Sequence, residues 1–331
     1  MRPISYSRVA DVGTAIGTAA ADPGSAFLAG GTTQVDLLRI YVEQPRRLVD
    51  INDLPLKQVE ELPDGGLRLG GLARMSDVAE HPALRRRYPV VSEALLLGAS
   101  PQLRNMASVA GNLLQRVRCT YFRDIDAACN KRVPGTGCAA MEGVNRGHAV
   151  LGTSDCCIAT HPSDLAVALV ALDAVVRTEG PTGQRAIPVD DFFLLPGRTP
   201  EREHPLTHGE LVTGIDLPSL PVATTSRYVK IRDRESYEFA LVSVALALSV
   251  RDGRIAEIRM ALGGVATKPW RARAAERVLD GAPATVESFT RAAEAELAQA
   301  VPHGMNAFKV ELARRTIVRS LTELAEQEAA A

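Results

Sequence analysis

Cys119, Cys129, Cys138, Cys156 and Cys157 fall within 39 residues, and the rest of the 331-residue chain has no cysteine. Scattered at random, the last four would share a window that size about twice in 10,000 trials, so the cluster marks a site. The spacing is C-x9-C-x8-C-x17-CC. Structural zinc favours C-x2-4-C knuckles, and none occurs here. Disulfides need an oxidising compartment, whereas the first 20 residues read as no secretory signal, because Asp11 and scattered glycines interrupt any apolar core. Four thiolates from one glycine-rich loop suit a [4Fe-4S] cluster, since each iron takes one soft anionic ligand. The tract from Cys129 to Cys138 adds backbone amides and two cations, Lys131 and Arg132, beside a site of net negative charge. Zinc and free or disulfide-bonded thiols stay open on spacing alone. Five thiols for four positions leave one spare, and the adjacent Cys156 and Cys157 are not both expected at one cube.

Two glycine segments could hold a phosphate. Leu28-Ala-Gly-Gly-Thr-Thr-Gln34 joins a short apolar strand to a helix, so its amides and the helix start can cradle an anion. It is neither G-x-G-x-x-G nor a P-loop, and a plain tight turn is the alternative reading. Ser100-Pro-Gln-Leu-Arg-Asn-Met-Ala-Ser108-Val-Ala-Gly111-Asn112 mixes small residues, which let backbone approach a ligand, with polar side chains that can bond a pyrophosphate or ribitol. His81, His148, His204, His208 and His303 show no ligand spacing and read as surface or capping residues.

The elements that must position these groups follow from periodicity. A helix is expected near Ser7–Ala20, then strand 26–29, helix 34–42 and strand 48–51. Strands and turns follow from Val59, with helices near 75–80 and 89–97. Between Leu113 and Thr160 periodicity disappears, which in a thiol-rich stretch favours a functional loop. A helix at 164–173 precedes strands near Val175, Ile187 and 211–217. Beyond Pro218–Pro221 come three strand-like segments (225–231, 240–251, 255–264) and helices from Pro269 to the end. Length alone suggests two or three domains. Near-balanced charge, 38 Lys+Arg against 39 Asp+Glu, argues against a nucleic-acid partner. The longest apolar run, Phe239–Val250, is too short for membrane insertion, which takes roughly 20 residues.

Together these segments resemble the FAD-binding medium subunit of the xanthine dehydrogenase and molybdenum hydroxylase family. The first glycine segment is similar to that family's A-G-G-T/H-x pyrophosphate loop, and the second to its P-Q-I-R-N-x-x-T-I-G-G-N stretch, with Ser108 for Thr and Ala110 for Gly. His161-Pro-Ser-Asp164 resembles D-P-x-S-D. Residues 209–218, Tyr228–Arg234 and Gly263–Ala272 look like the family's later segments. Ordinary members run almost directly from G-G-N to D-P-x-S-D, whereas here about 48 residues intervene and hold every cysteine. That insertion resembles the periplasmic-type bacterial aldehyde oxidoreductases, whose flavin subunit carries an extra [4Fe-4S] cluster; the medium subunit of 4-hydroxybenzoyl-CoA reductase is the alternative.

The resemblance implies an α+β fold. A two-lobed PCMH-type FAD-binding domain would cover 1–221, with lobes of about 1–55 and 56–221 and the cluster insertion at 113–160. A CO-dehydrogenase-flavoprotein-like domain at 222–331 would carry a three-stranded antiparallel sheet with helices. FAD and a [4Fe-4S] cluster are the implied cofactors. Cys119, Cys129, Cys138 and Cys157 are the implied iron ligands, with Cys156 spare. The implied FAD residues are Ala26, Phe27, Leu28, Ala29, Gly30, Gly31, Thr32, Thr33, Gln34, Ser100, Ser108, Gly111, Asn112, Arg118, Asp164, Ile187 and Lys230. Asp164 would reach ribose or ribitol hydroxyls, and Lys230 would stabilise reduced flavin; Tyr237 could wall the ring or be a core tyrosine. No catalytic residue for aldehyde hydroxylation is expected here. The implied partners are a large molybdenum-cofactor subunit and a small [2Fe-2S] subunit, in a heterotrimer that can dimerise, with an external electron acceptor. The location would be cytoplasmic, or periplasmic by co-export with a partner bearing a twin-arginine signal. A stand-alone flavin oxidase would need its own substrate pocket with several Tyr, His and Arg residues, poorly supported at 4% aromatics. A non-enzymatic iron–sulfur scaffold is a third possibility, and bound FAD would exclude it.

Overall fold

The computed structural model describes residues 3–329. Its first sheet is parallel, in the order β1 (Ser5–Arg8), β3 (Arg47–Asp50), β2 (Ser25–Leu28). The helix expected over Ser7–Ala20 is shorter, Val12–Ala20, and β1 precedes it. Asp11 sets the boundary, because its side chain accepts the Thr14 N–H (2.8 Å) and caps the first turn.

A second sheet runs in the order β4 (Val59–Glu61), β5 (Leu67–Gly70), β8 (Leu211–Leu217), β6 (Val175–Gly180), β7 (Gly183–Pro188), with every pairing antiparallel. Helix Asp164–Ala171 is buried at all eight positions, which is why its sequence DLAVALVA is apolar throughout rather than amphipathic. It lies between this sheet's core and the third sheet.

The third sheet has four strands, not three: β9 (Ser226–Ile231), β10 (Val242–Arg251), β11 (Arg254–Gly263) and a two-residue β12 (Trp270–Arg271), in the order β12-β11-β10-β9. A two-residue strand is too short to show a period, so periodicity could not register it. Asp252 and Gly253, both at positive φ (51° and 71°), close the β10–β11 hairpin as an Asp-Gly turn. Helices Arg273–Leu279, Val286–Leu297 and Phe308–Ala329 cover one face in a separate apolar core.

The cysteine-rich stretch is irregular, as expected. It holds one helical turn, Thr120–Arg123, antiparallel bridges between Cys129 and Cys138 and between Ser154 and Cys157, and a parallel bridge from Leu151 to Ala266. Leu37, Val117, Phe122, Cys129, Cys157 and Ala159 form a small core of its own. No described helix is long and apolar enough to cross a membrane.

Candidate functional site

The glycine loop after β2 is pinned against the second glycine-containing segment. A Cβ on Gly30 would lie 2.0 Å from the Met106 carbonyl oxygen, so only glycine permits the contact. Gly31 adopts φ 74°, the left-handed region that glycine reaches without strain. Asn52 donates to the Ala29 carbonyl (2.9 Å), and Arg74 donates to Asn52 Oδ1 (3.0 Å) and to the Met106 carbonyl. Met75 N–H to the Ala107 carbonyl and Val109 N–H to the Ala73 carbonyl, both 3.0 Å, fix the second segment to the strand end behind it. The two loops are therefore held in register before any ligand arrives.

Their junction divides one cleft into two chambers that share Thr32, Thr33 and Gly111. Chamber one is lined by Ala26, Phe27, Ala29, Gly30, Gly31, Gln34 and Ser108, together with Arg116, Glu43, Thr207 and His208. Chamber two is lined by Asn112, Arg118, Asp164, Lys230, Tyr237 and Phe239, with Met75, Gly98, Ala99 and Leu103. Ala99 sits at φ 52°, a strained conformation for a residue with a Cβ, on the chamber wall. Three expected cofactor residues do not line the cleft. Ser100 caps the helix Pro101–Met106 by accepting the Leu103 N–H (3.3 Å), Ile187 is buried in the apolar core behind β7, and Leu28 lies at the strand end outside the lining.

Asp164 and Lys230 are committed to each other. Lys230 Nζ lies 2.8 Å from Asp164 Oδ2 and 3.1 Å from the Leu97 carbonyl, while Tyr228 Oη donates to Asp164 Oδ1 (2.7 Å). Burial pushes the Asp164 carboxyl above its ordinary range, and the Lys230 ammonium pulls it back. Burial and the Asp164 charge push the Tyr228 phenol well up, so it stays a donor. With a side chain only 1% exposed, Lys230 braces the wall of chamber two. Asp164→Ala would strand that cation, and removing one partner of a buried pair costs about 3–5 kcal/mol. A lower thermal unfolding midpoint with loss of bound FAD is expected; a variant as stable as the parent would show the pair to be dispensable.

The start of the insertion supplies cations to both chambers. Arg116 in chamber one bonds Glu43 and Glu203 and lies 4.8 Å over the Phe122 ring. Although burial opposes it, the Arg116 and Lys131 charges hold the Glu203 carboxyl below its usual range. Arg118 in chamber two lies 5.2 Å from the Phe239 ring, with Nη2 3.4 Å from Thr33 Oγ1. Sequence reasoning singled out Arg118 and passed over Arg116, two residues away, and Phe239, which no local motif flags; His208, read as a surface or capping residue, is exposed and its Nε2 meets the Ala19 (2.8 Å) and Asp22 (3.0 Å) carbonyls at the end of helix Val12–Ala20.

Beyond these arginines, all five cysteines line one small cavity, with Val117, Phe122, Lys131 and Ala140 among its other walls. Burial pushes the Cys119 thiol up to about 11, against the Phe122 and Tyr121 amides that face it, and burial likewise raises Cys157. Cys157 is buried and its sulfur accepts the Ala159 N–H (3.5 Å), whereas Cys156 is half-buried. His148, expected as a surface or capping residue, is 8% exposed and its Nε2 lies 3.2 Å from Cys119 Sγ. Among the described residues no three His, Cys, Asp or Glu side chains form a ligand set for a single metal ion. Sulfurs set around a cavity, with amides and a lysine facing them, fit the ligand needs of a polynuclear iron–sulfur group.

A glycine loop locked to a second loop across a two-chambered cleft defines a dinucleotide-binding subunit of α+β architecture. Residues 2–220 match the FAD binding domain in molybdopterin dehydrogenase, and residues 227–324 match the CO dehydrogenase flavoprotein C-terminal domain. The chain belongs to this family, the FAD-binding medium subunits of the molybdenum hydroxylases. It is 49% identical over 329 residues to the aldehyde oxidoreductase FAD-binding subunit PaoB of Escherichia coli (strain K12), covering 99% of this chain and 100% of that one. Identity to the carbon monoxide dehydrogenase medium chain of Hydrogenophaga pseudoflava is 25% over 301 residues, covering 89% and 87%. The solved carbon monoxide dehydrogenase from the same organism superposes with a TM-score of 0.75 over 96% of both chains, at 25% identity. Quinoline 2-oxidoreductase from Pseudomonas putida 86 shares the fold, with a TM-score of 0.76 at 21% identity over 99% of this chain and 98% of that one.

Proposed function

We propose that this chain is the FAD-binding electron-transfer subunit of an aldehyde-oxidising molybdenum hydroxylase. It would work beside a large subunit carrying the molybdenum cofactor and a small [2Fe-2S] subunit. Aldehyde oxidation belongs to the large subunit, and this subunit delivers the electrons to an external acceptor. When bound, the flavin can take single electrons and hand over pairs. The observation that carries the reading is the pair of adjoining chambers that share Thr32, Thr33 and Gly111, at the glycine loop. Backbone amides of 30–33 and the Ser108–Asn112 turn would hold the pyrophosphate, chamber one the adenosine and chamber two the ring.

Cys119, Cys129, Cys138 and Cys157 would hold a [4Fe-4S] cluster, with Cys156 not a ligand. The buried Cys157 sulfur with its amide donor supports that choice over Cys156. The cluster's ligands come from one loop that has its own small core, which supports a bracing role. Export with a partner bearing a twin-arginine signal would place the complex in the periplasm; without one it is cytoplasmic.

Purification of the native complex tests the reading. One FAD and about four irons per copy of this chain are expected, together with a molybdenum-containing partner and a [2Fe-2S] partner. A chain purified without FAD, or without a molybdenum partner, would overturn it.

A further inference from the structure

His148 is out of place for a residue with no ligand spacing. It lies in the insertion, 29 positions after Cys119, yet its Nε2 sits 3.2 Å from the Cys119 sulfur. Its Nδ1 is buried with no hydrogen-bond partner in the structure. A thiolate sulfur can only accept, so with Cys119 ionised the proton belongs on Nε2 and points at the sulfur.

The imidazole is aimed from the other side of the molecule. The turn Asn145–Ala149 is gripped by the C-terminal domain through two side chains, Asn306 and Lys309, both 0% exposed. Asn306 Nδ2 donates to the Ala149 carbonyl (3.0 Å) and the His148 carbonyl (3.3 Å). Lys309 Nζ donates to the Gly147 carbonyl (2.8 Å) and to the Gly264 carbonyl at the end of β11 (2.7 Å). The Met305 N–H donates to Asn145 Oδ1 (2.8 Å), closing the latch. Burial pulls the Lys309 amine down to about 7, and either protonation state supplies the two N–H groups the carbonyls need. Asn306 also accepts the His303 N–H through Oδ1 (2.7 Å), and what the two side chains share is the turn that presents His148.

We infer that His148 is an outer-sphere positioning residue of the cysteine site: it donates a hydrogen bond from Nε2 to the Cys119 sulfur and so tunes the cluster's potential. Asn306 and Lys309 of the C-terminal domain hold it there. The inference rests on reading the insertion as a [4Fe-4S] site. Hydrogen bonds to ligand sulfurs stabilise the more negative, reduced cluster, so losing one lowers the potential. The C-terminal domain thereby sets the electronic properties of a group whose ligands all lie in the other domain.

The test is a low-temperature EPR-monitored redox titration of the purified complex, with iron counted for each variant. His148→Phe is expected to keep its iron and titrate at a lower potential than the parent. His148→Gln, which retains an N–H donor, should return towards the parent value. Lys309→Met and Asn306→Ala, neither touching a cysteine, should shift the potential in the same direction by a smaller amount. A parental potential in His148→Phe with full iron overturns the inference. If that variant does not hold iron, Lys309→Met decides: an iron-replete protein with an unshifted potential also overturns it. A parent complex with no iron on this chain instead overturns the cluster reading on which the inference stands.

Discussion

Replacing Cys157 with alanine is expected to strip iron from this subunit and lower its thermal midpoint by roughly 10 °C, whereas Cys156→Ala leaves both unchanged. The cluster would tie the chain at four points between residues 119 and 157, a closed stretch of 39 residues. Loop-closure entropy for a cross-link of that length is about 4 kcal/mol, on the model used for disulfides. For a domain of some 200 residues each kcal/mol moves the midpoint by about 2–4 °C, which gives the size of the shift. Without the cluster the stretch keeps one helical turn, three isolated bridges, the grip of Asn306 and Lys309 on the 147–149 carbonyls, and a small core in which Cys129 and Cys157 are themselves members. Iron analysis with differential scanning calorimetry checks both variants. Iron lost from Cys156→Ala and kept in Cys157→Ala would exchange their roles. If Cys157→Ala also slowed flavin reduction by aldehyde in an otherwise intact complex, the cluster would be a relay and not a brace.

What the chain disclosed in one dimension follows from how local each signal is. The double glycine and the grouped thiols are contiguous or nearly so: close backbone approach demands glycine at Gly30, and the fold gathers all five cysteines around one cavity. The longer elements from β2 onward were also legible, since buried strands and the apolar helix 164–171 carry period and composition together, whereas the two-residue β12 and the short helices at 82–87, 101–106 and 109–113 do not. His148 was not, because a lone histidine gives no spacing, and its neighbour is chosen by a latch from residues 306 and 309. The resemblance gives Asp164 and Lys230 separate roles at the cofactor; in space the two, 66 positions apart, both line chamber two and also pair with each other. Ser100 carries a polar side chain that serves its own helix, a local demand indistinguishable in sequence from a ligand contact. Arg116 and Arg118 are two positions apart in sequence yet reach separate chambers. Only the fold decides which wall each one faces.

Gly30→Ala is expected to cost about 100-fold in FAD affinity, so that the variant is purified largely without flavin. The added methyl would sit 2.0 Å from the Met106 carbonyl oxygen, an atom of backbone fixed by Arg74, and no rotamer can relieve the overlap. The two loops must separate by more than 1 Å, which draws the amides of residues 30–33 away from the pyrophosphate position. Losing two hydrogen bonds to a charged group costs about 3 kcal/mol, or roughly two decades in Kd. Gly31→Ala separates this effect from general glycine strain. There the backbone at φ 74° disfavours a Cβ by about 1–2 kcal/mol, but the nearest obstacle is the flexible end of Val35 at 3.3 Å, so a loss nearer tenfold is expected. Gly111→Ala meets only a side-chain atom, the Ser108 hydroxyl 2.8 Å away, which can move at the cost of its cap on the Gly111 N–H (3.2 Å), so its loss should be smaller than that of Gly30→Ala. Flavin fluorescence titration of the three apo-subunits gives the order directly. Equal losses at Gly30 and Gly31 would mean that backbone strain, and not the locked contact between the two loops, governs how tightly the dinucleotide is held.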